Sequence, residues 1–192
     1  MTKIRRLEEA DLEFAKSLTD AEEWGNSIED WQRLLRISIP LVAYQGDDLL
    51  GVTTAFDYGI LGMIGNVVVS ENSRGKGVGQ VLVKEAMNRL ESCKTVRLHS
   101  KMDIVSFYKD LGFFPEGMST FFRLEGEMKS FQPFVIGSDV NIVPAEGYLD
   151  EILEMDKRQF VGDRSNFIKD LNSNLPECSF VALGEDGSVK GF

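Results

Sequence analysis

Positive charge is what this chain is short of. Its 21 lysines and arginines face 31 aspartates and glutamates, a formal net charge of −10. With a pI near 4.7, the broad basic surface that nucleic acid requires is missing, and so is one for anionic membranes. A small cationic acceptor suits the balance better. Cysteine is scarce as well. Cys93 and Cys178 are the two in the chain, in neither CxxC nor metal-ligand spacing, so they read as inert thiols of a reducing cytosol and no metal site is expected. Long hydrophobic runs are lacking too. Nothing approaches the roughly 20 apolar residues of a membrane span, and the basic residues of Met1 to Glu9 have no apolar stretch behind them, so no signal peptide is read. A soluble, cytoplasmic protein is the expectation. What is present is ordinary: 43% hydrophobic and 27% charged residues over 192 positions, enough for one domain or one domain and part of another.

The pattern along the chain predicts a mixed α/β fold. Ile4 to Leu7 reads as a strand, and Leu12, Phe14, Ala15 and Leu18 give a helix its apolar face. Ser27 with Asp30 three residues on is a capping-box signal for a second helix, with Trp31, Leu34 and Leu35 inward and Pro40 ending it. Strands follow at Leu41–Tyr44, Leu50–Phe56 and Ile64–Val69, then a long helix from about Gly77 to Leu90 with Val78, Val81, Leu82, Ala86 and Leu90 inward. Thr95 to His99 is a strand, Ile104 to Leu111 a helix capped by Gly112, and Phe113–Phe114 and Ser119–Leu124 close the domain as strands. The expected sheet carries helices on both faces.

Chemistry concentrates in Val67-Val68-Val69-Ser70-Glu71-Asn72-Ser73-Arg74-Gly75-Lys76-Gly77-Val78-Gly79-Gln80. A buried strand delivers a glycine-rich loop into a helix, so successive N–H groups and the helix N-terminus form an anion site. Glycines at 75, 77 and 79 let backbone approach a ligand, and Arg74 and Lys76 add charge suited to a diphosphate. Gln80 breaks the G-x-G-x-x-G dinucleotide fingerprint, and the Walker pattern is missing.

Arg74-Gly75-Lys76-Gly77-Val78-Gly79 resembles the R/Q-x-x-G-x-G/A signature of the GNAT acetyltransferases. Asp103 to Phe113, with Phe107-Tyr108-Lys109-Asp110-Leu111-Gly112-Phe113 at its end, resembles the closing motif of the same superfamily. The likeness spans about residues 3 to 125. It implies a GNAT fold and acetyl-CoA as cosubstrate in a splayed gap between the fourth and fifth strands. Val67, Val68 and Val69 would then meet the pantetheine, and Arg74, Gly75, Lys76, Gly77, Val78, Gly79 and Gln80 the pyrophosphate. Tyr108 falls where many members have the acid that protonates the departing thiolate. Asp103 departs from the frequent Asn and is not read as a ligand. No general base stands out among Glu23, Asp57, Glu71 and His99, while Glu22 and Glu23 lie where a cation would be recruited.

Three segments are expected: a GNAT domain over residues 1–126, a linker over 127–138, and a truncated second GNAT-like repeat over 139–192. The repeat rests on the likeness of Phe180–Leu183 through Gly191 to Leu41–Tyr44 through Gly51, at a spacing of roughly 140 residues. Gly162-Asp163-Arg164-Ser165 resembles a signature of tandem GNAT proteins. The expected function is transfer of an acetyl group from acetyl-CoA to a primary amine of a small molecule or peptide. A CoA-binding sensor without turnover and an enzyme using a longer acyl-CoA are the alternatives.

Overall fold

Ser27 and Asp30 cap one helix reciprocally. The Asp30 N–H donates to Ser27 Oγ at 3.1 Å and the Ser27 N–H to Asp30 Oδ2 at 2.9 Å, which satisfies two donors that a helix start leaves orphaned. Helix α2 (Ile28–Ile37) starts there and follows strand β1 (Lys3–Arg6) and helix α1 (Leu12–Ala21). The computed structural model describes residues 1–120 and 140–192. Strands β2 (Ile39–Gln45), β3 (Asp48–Tyr58) and β4 (Leu61–Val69) then run as an antiparallel meander beside β1. Helix α3 (Val78–Arg89) carries the chain across to β5 (Thr95–Leu98), which pairs parallel with β4, and helix α4 (Val105–Asp110) comes next. Parallel pairing demands such a crossover.

The helices cover both faces of this sheet. On one, α1 and α2 bury Leu12, Ala15, Leu18 and Trp31 against Val42, Val52 and Val68. On the other, Val83 and Ala86 of α3, with Leu90 just beyond it, meet Leu41, Ala55 and Ile64. Val83 takes the inward place expected of Val81, which is 38% exposed. Val83, Ala86 and Leu90 recur at the spacing of one helix face, whereas Val81 lies about 200° around the helix from Val83 and so meets water. Pro40 does not stop α2: the helix ends at Ile37 and Pro40 lies inside β2, where its carbonyl accepts the Leu7 N–H at 2.9 Å. Residues 113–120 carry no strand, which corrects the expectation at Phe113–Phe114 and for Ser119 and Thr120. Residues 121–124 of that expected strand, and the linker at 127–138, lie outside the described residues.

A second unit follows. Strand β6 (Val140–Pro144), helices α5 (Leu149–Gln159) and α6 (Ser165–Asn174), and strands β7 (Phe180–Gly184) and β8 (Val189–Gly191) form a unit with a separate antiparallel sheet, β6-β7-β8. Its element order is that of β1-α1-α2-β2-β3. Even the first bond past the opening strand recurs: the Ala145 N–H donates to Ser179 O at 2.9 Å, as that of Leu7 does to Pro40 O. The unit has its own core in Ala145, Ile152, Ile168 and Val181.

The units meet at Tyr58 and along α2. The Asp163 N–H donates to Tyr58 O at 2.8 Å, and the Phe160 ring meets Tyr58 edge-on at 5.4 Å. On α2, Arg36 Nε donates to Asp170 Oδ1 of α6 at 2.8 Å. The Gly162–Ser165 segment is thus a docking loop, braced by Arg164 on Asp156 at 2.6 Å and by the Ser165 N–H on Asp163 Oδ1 at 2.9 Å.

Candidate functional site

Strands β4 and β5 part company halfway. Their register runs from Leu61↔Thr95 to Ile64↔Leu98 and ends there, so β4 continues from Gly65 to Val69 beyond the last β5 pair. A bulge lies at the same point. On the β3 side Val52 pairs Val68 and Thr54 pairs Gly65, which sets Asn66 and Val67 against Thr53 alone. Asn66 adopts a left-handed φ of 50°, a conformation asparagine tolerates better than most residues. Thr54 Oγ1 donates to Asn66 Oδ1 at 3.1 Å and Thr53 Oγ1 to Gly65 O at 2.9 Å. Such an insertion bends and twists its strand, which accounts for a gap opening here. The Ser70 N–H bonds Leu50 O at 2.9 Å on the β3 side, so by alternation Val69 turns its backbone polar groups toward the gap.

The glycine loop leads from the end of β4 to α3. Gly75 and Gly77 have φ of 72° and 79°, values a β-carbon disfavours. Gly77 is the N-cap of α3, and no side chain caps it. The first bond of the helix runs from Val81 N–H to Gly77 O at 3.1 Å, leaving the N–H groups of Val78, Gly79 and Gln80 to an outside acceptor. Gly79 has a different role from its two neighbours: a β-carbon there would touch Phe107 of α4 at 3.5 Å and Val69 at 3.6 Å. Lys76 and Gln80 are exposed.

Arg74 points elsewhere than a simple phosphate clamp would. Its Nε donates to Val69 O at 3.1 Å and its NH2 to Glu22 Oε1 at 2.7 Å. Lys101 Nζ holds the other Glu22 oxygen at 2.9 Å. Lys101, with help from Arg74, keeps the Glu22 carboxyl below its usual range. Glu22 is therefore ion-paired rather than waiting for a cation.

Tyr108 owes its place to the end of α4. Gly112, at φ 93°, follows the helix, the Phe113 N–H bonds Tyr108 O at 3.0 Å and the Gly112 N–H bonds Lys109 O at 3.0 Å. This is a Schellman cap, and its usual apolar contact is the Phe113 ring on Tyr108 at 6.1 Å. Phe107 meets Tyr108 at 4.9 Å on the other side. Tyr108 is 7% exposed, and burial pushes its phenol above the ordinary value of 10.0. Its hydroxyl makes no hydrogen bond among the described residues.

The candidate bases separate by position. Asp57 pairs Gly62 at the opposite end of β4, roughly 23 Å along the strand from Val69. It accepts the Gly59 N–H at 2.7 Å and has no place at the gap. His99 directly follows Leu98, the last residue of β5 to pair, and is exposed. Glu23 is exposed with a left-handed φ of 57°, and Glu71 is exposed in the short turn after β4. Asp103 is exposed as well.

Sequence reading missed a cavity of about 170 Å³ on the α2 face, reached by Phe56 of β3, Asn66 of the bulge, Leu34 of α2 and Phe167 of α6. Only the left-handed preference of asparagine within an apolar run could have drawn notice to Asn66.

Residues 37–115 match the Acetyltransferase (GNAT) domain family. A protein of Pyropia yezoensis described as "Uncharacterized N-acetyltransferase ycf52" is 34% identical over 70 residues, 34% of this chain. The chain spans 40% of the length of that curated relative. A solved structure of a putative acetyltransferase from Pyrococcus horikoshii superposes on 96% of this chain and 65% of its own with a TM-score of 0.69 at 19% identity. Rv2747 of Mycobacterium tuberculosis, solved in complex with CoA and NLQ, covers 62% of this chain and 76% of its own, with a TM-score of 0.54 at 19% identity. At these identities the structures share the fold.

Proposed function

We propose that residues 1–126, which contain a GNAT acetyltransferase domain at 37–115, transfer an acetyl group from acetyl-CoA to a primary amine of a small molecule or peptide by direct attack. The observation that carries the reading is the conjunction of an opened β4 edge, an uncapped α3 N-terminus and a buried tyrosine. The residues fit the cosubstrate. The N–H groups of Val78, Gly79 and Gln80 and the left-handed Gly75 and Gly77 would form an anion cradle, with the exposed Lys76 in the same loop. Val67, Val68 and Val69 form the strand end that would meet the pantetheine, with the backbone of Val69 turned to the gap and that of Val68 paired to Val52 on the β3 side. When bound, acetyl-CoA supplies the activated acyl group as a thioester.

Within this chain, Tyr108 donates the proton to the leaving sulfur. Its phenol, held above 10.0 by burial, stays protonated through the neutral range and so carries the proton to be given. The amine must arrive deprotonated, and of the four candidate bases His99 directly follows the last paired residue of β5, while Glu71 follows the end of β4. We read residues 139–192 as a partial second repeat of the same fold, supported by the matching element order and antiparallel pairing of the two sheets. It has no counterpart of the β4-loop-α3 unit among its described elements. The expected setting is the cytoplasm. No described helix is long and apolar enough to cross a membrane.

Tyr108→Phe tests the assignment. Turnover should fall on the order of 10²-fold, with the affinity for acetyl-CoA within a few-fold of wild type. Unchanged turnover across pH 6–9, with chemistry rate-limiting, would remove Tyr108 from the mechanism. A protein that binds acetyl-CoA yet releases no CoA with any amine would instead be the sensor.

A further inference from the structure

We infer that the second unit completes the amine-binding pocket of the first, and that the pocket selects primary amines with an apolar, aromatic-sized body. This rests on the acyl-transfer reading above. The cavity of about 170 Å³ borders Asn66, the residue next to Val67 on the opened edge of β4. An amine seated there stands beside the place where the thioester would lie.

The walls come from both units. Leu34 and Ile37 of α2 and Phe56 of β3 belong to the first, and Phe167 of α6 to the second. These four walls are apolar, and Phe56 and Phe167 offer rings to a flat or branched group. Asp30 gives the cavity a polar end, shared with Asn26, Arg33 and Asn66. Its carboxylate already accepts the Ser27 N–H at 2.9 Å and Arg33 NH1 at 2.9 Å, so it is no mobile base, and Arg33, which lines the same cavity, offsets its charge.

Phe167 is not there by loose contact. The docking loop fixes α6 at one end, through Asp163 N–H on Tyr58 O at 2.8 Å. Asp170, one turn beyond Phe167, fixes it at the other through Arg36 at 2.8 Å and lies 3.4 Å from Arg33 Nε. That Nε is buried without a hydrogen-bond acceptor, so the Asp170 charge beside it offsets a position that would otherwise be costly. Phe167 is held between two anchors, over the cavity that reaches the β4 bulge.

The experiment compares 2-phenylethylamine with ethylamine on the full chain at saturating acetyl-CoA, with ligand-observed NMR as a second readout of amine binding. Wild type should prefer 2-phenylethylamine. Phe167→Ala should raise its KM about tenfold while the affinity for acetyl-CoA stays within about two-fold. Phe167→Leu should restore part of the preference, and Phe167→Trp, which fills the cavity, should exclude the larger amine. Loss of NMR binding in Phe167→Trp without turnover of any amine would uphold the pocket and sink the transfer reading. Equal KM and equal binding for all four proteins, or no binding of 2-phenylethylamine by wild type, overturns the inference.

Discussion

Gly162 lies directly against Tyr58: a β-carbon on it would stand 2.7 Å from the Tyr58 carbonyl oxygen. Its φ of 130° is one that other residues rarely adopt, so contact and conformation both demand glycine. Gly162→Ala should therefore loosen the docking loop while sparing the first unit, at a cost of about 1–3 kcal/mol. Amide exchange in α5 and α6 should quicken while α1 and α3 keep their protection. Unchanged exchange in both units would show that the loop does not hold them together.

Acetyl-CoA should protect the folded chain against heat, because the α3 N-terminus and the Gly75–Gly77 loop exist only when folded. Saturation at about 100 Kd adds roughly 2.7 kcal/mol by linkage. Gly77 has open space around it but a φ of 79°, which a β-branched residue resists. Gly77→Val should fold and lose the protection. Equal protection of the variant would take the loop out of the site.

Local patterns carried much of this architecture. Ser27 and Asp30 announced α2 by spacing alone, and the bonds between them have the expected form. Gly112 likewise announced the end of α4. What stayed hidden depended on tertiary context. Pro40 looked like a helix stop, yet its fixed φ is compatible with a strand, and it pairs Thr54 within β2. Glu22 and Lys101 are 79 positions apart and meet only once β5 leaves β4. Phe167 reaches the cavity through a docking that no periodicity encodes. The glycine loop was legible as a strand-loop-helix unit; the ion pair that turns Arg74 aside was not.

Stability should respond to acid through Asp11. Arg5 holds its carboxylate at 2.6 and 2.8 Å, and the Glu8 N–H adds a bond at 2.9 Å. The hydrogen bonding from Arg5 is the main cause that keeps Asp11 below its ordinary 3.8. A depressed carboxyl contributes stability that is present above the unfolded value and lost as pH falls through the folded one. The thermal midpoint of wild type should thus drop below about pH 4. Asp11→Asn should cost about 1–3 kcal/mol at pH 7 and show a shallower acid decline. The lower end is expected, since Arg5 is 37% exposed and water screens the pair. An equally steep decline in the variant would assign the acid limb to other carboxylates.

Glu22 should compete with the phosphates of CoA. It joins Arg74 at 2.7 Å and Lys101 at 2.9 Å, and both cations are more than half exposed, at 52% and 59%. Bridges of that kind are weak, so a diphosphate, with more acceptor oxygens and more charge, can draw Arg74 away from the carboxylate. Because Glu22 titrates below its ordinary 4.5, it stays ionised at neutral pH and the competition persists there. Glu22→Gln removes a negative charge beside the cradle while keeping a side chain of the same length. Affinity for acetyl-CoA should rise about two- to fivefold at low ionic strength, and the gain should shrink in 1 M salt, where screening shortens to about 3 Å. In an Arg74→Ala, Lys101→Ala background the gain from Glu22→Gln should vanish. Titration calorimetry over the four proteins reads this directly. If Glu22→Gln weakens binding instead, the carboxylate organises Arg74 and Lys101 for the cosubstrate and does not compete with it.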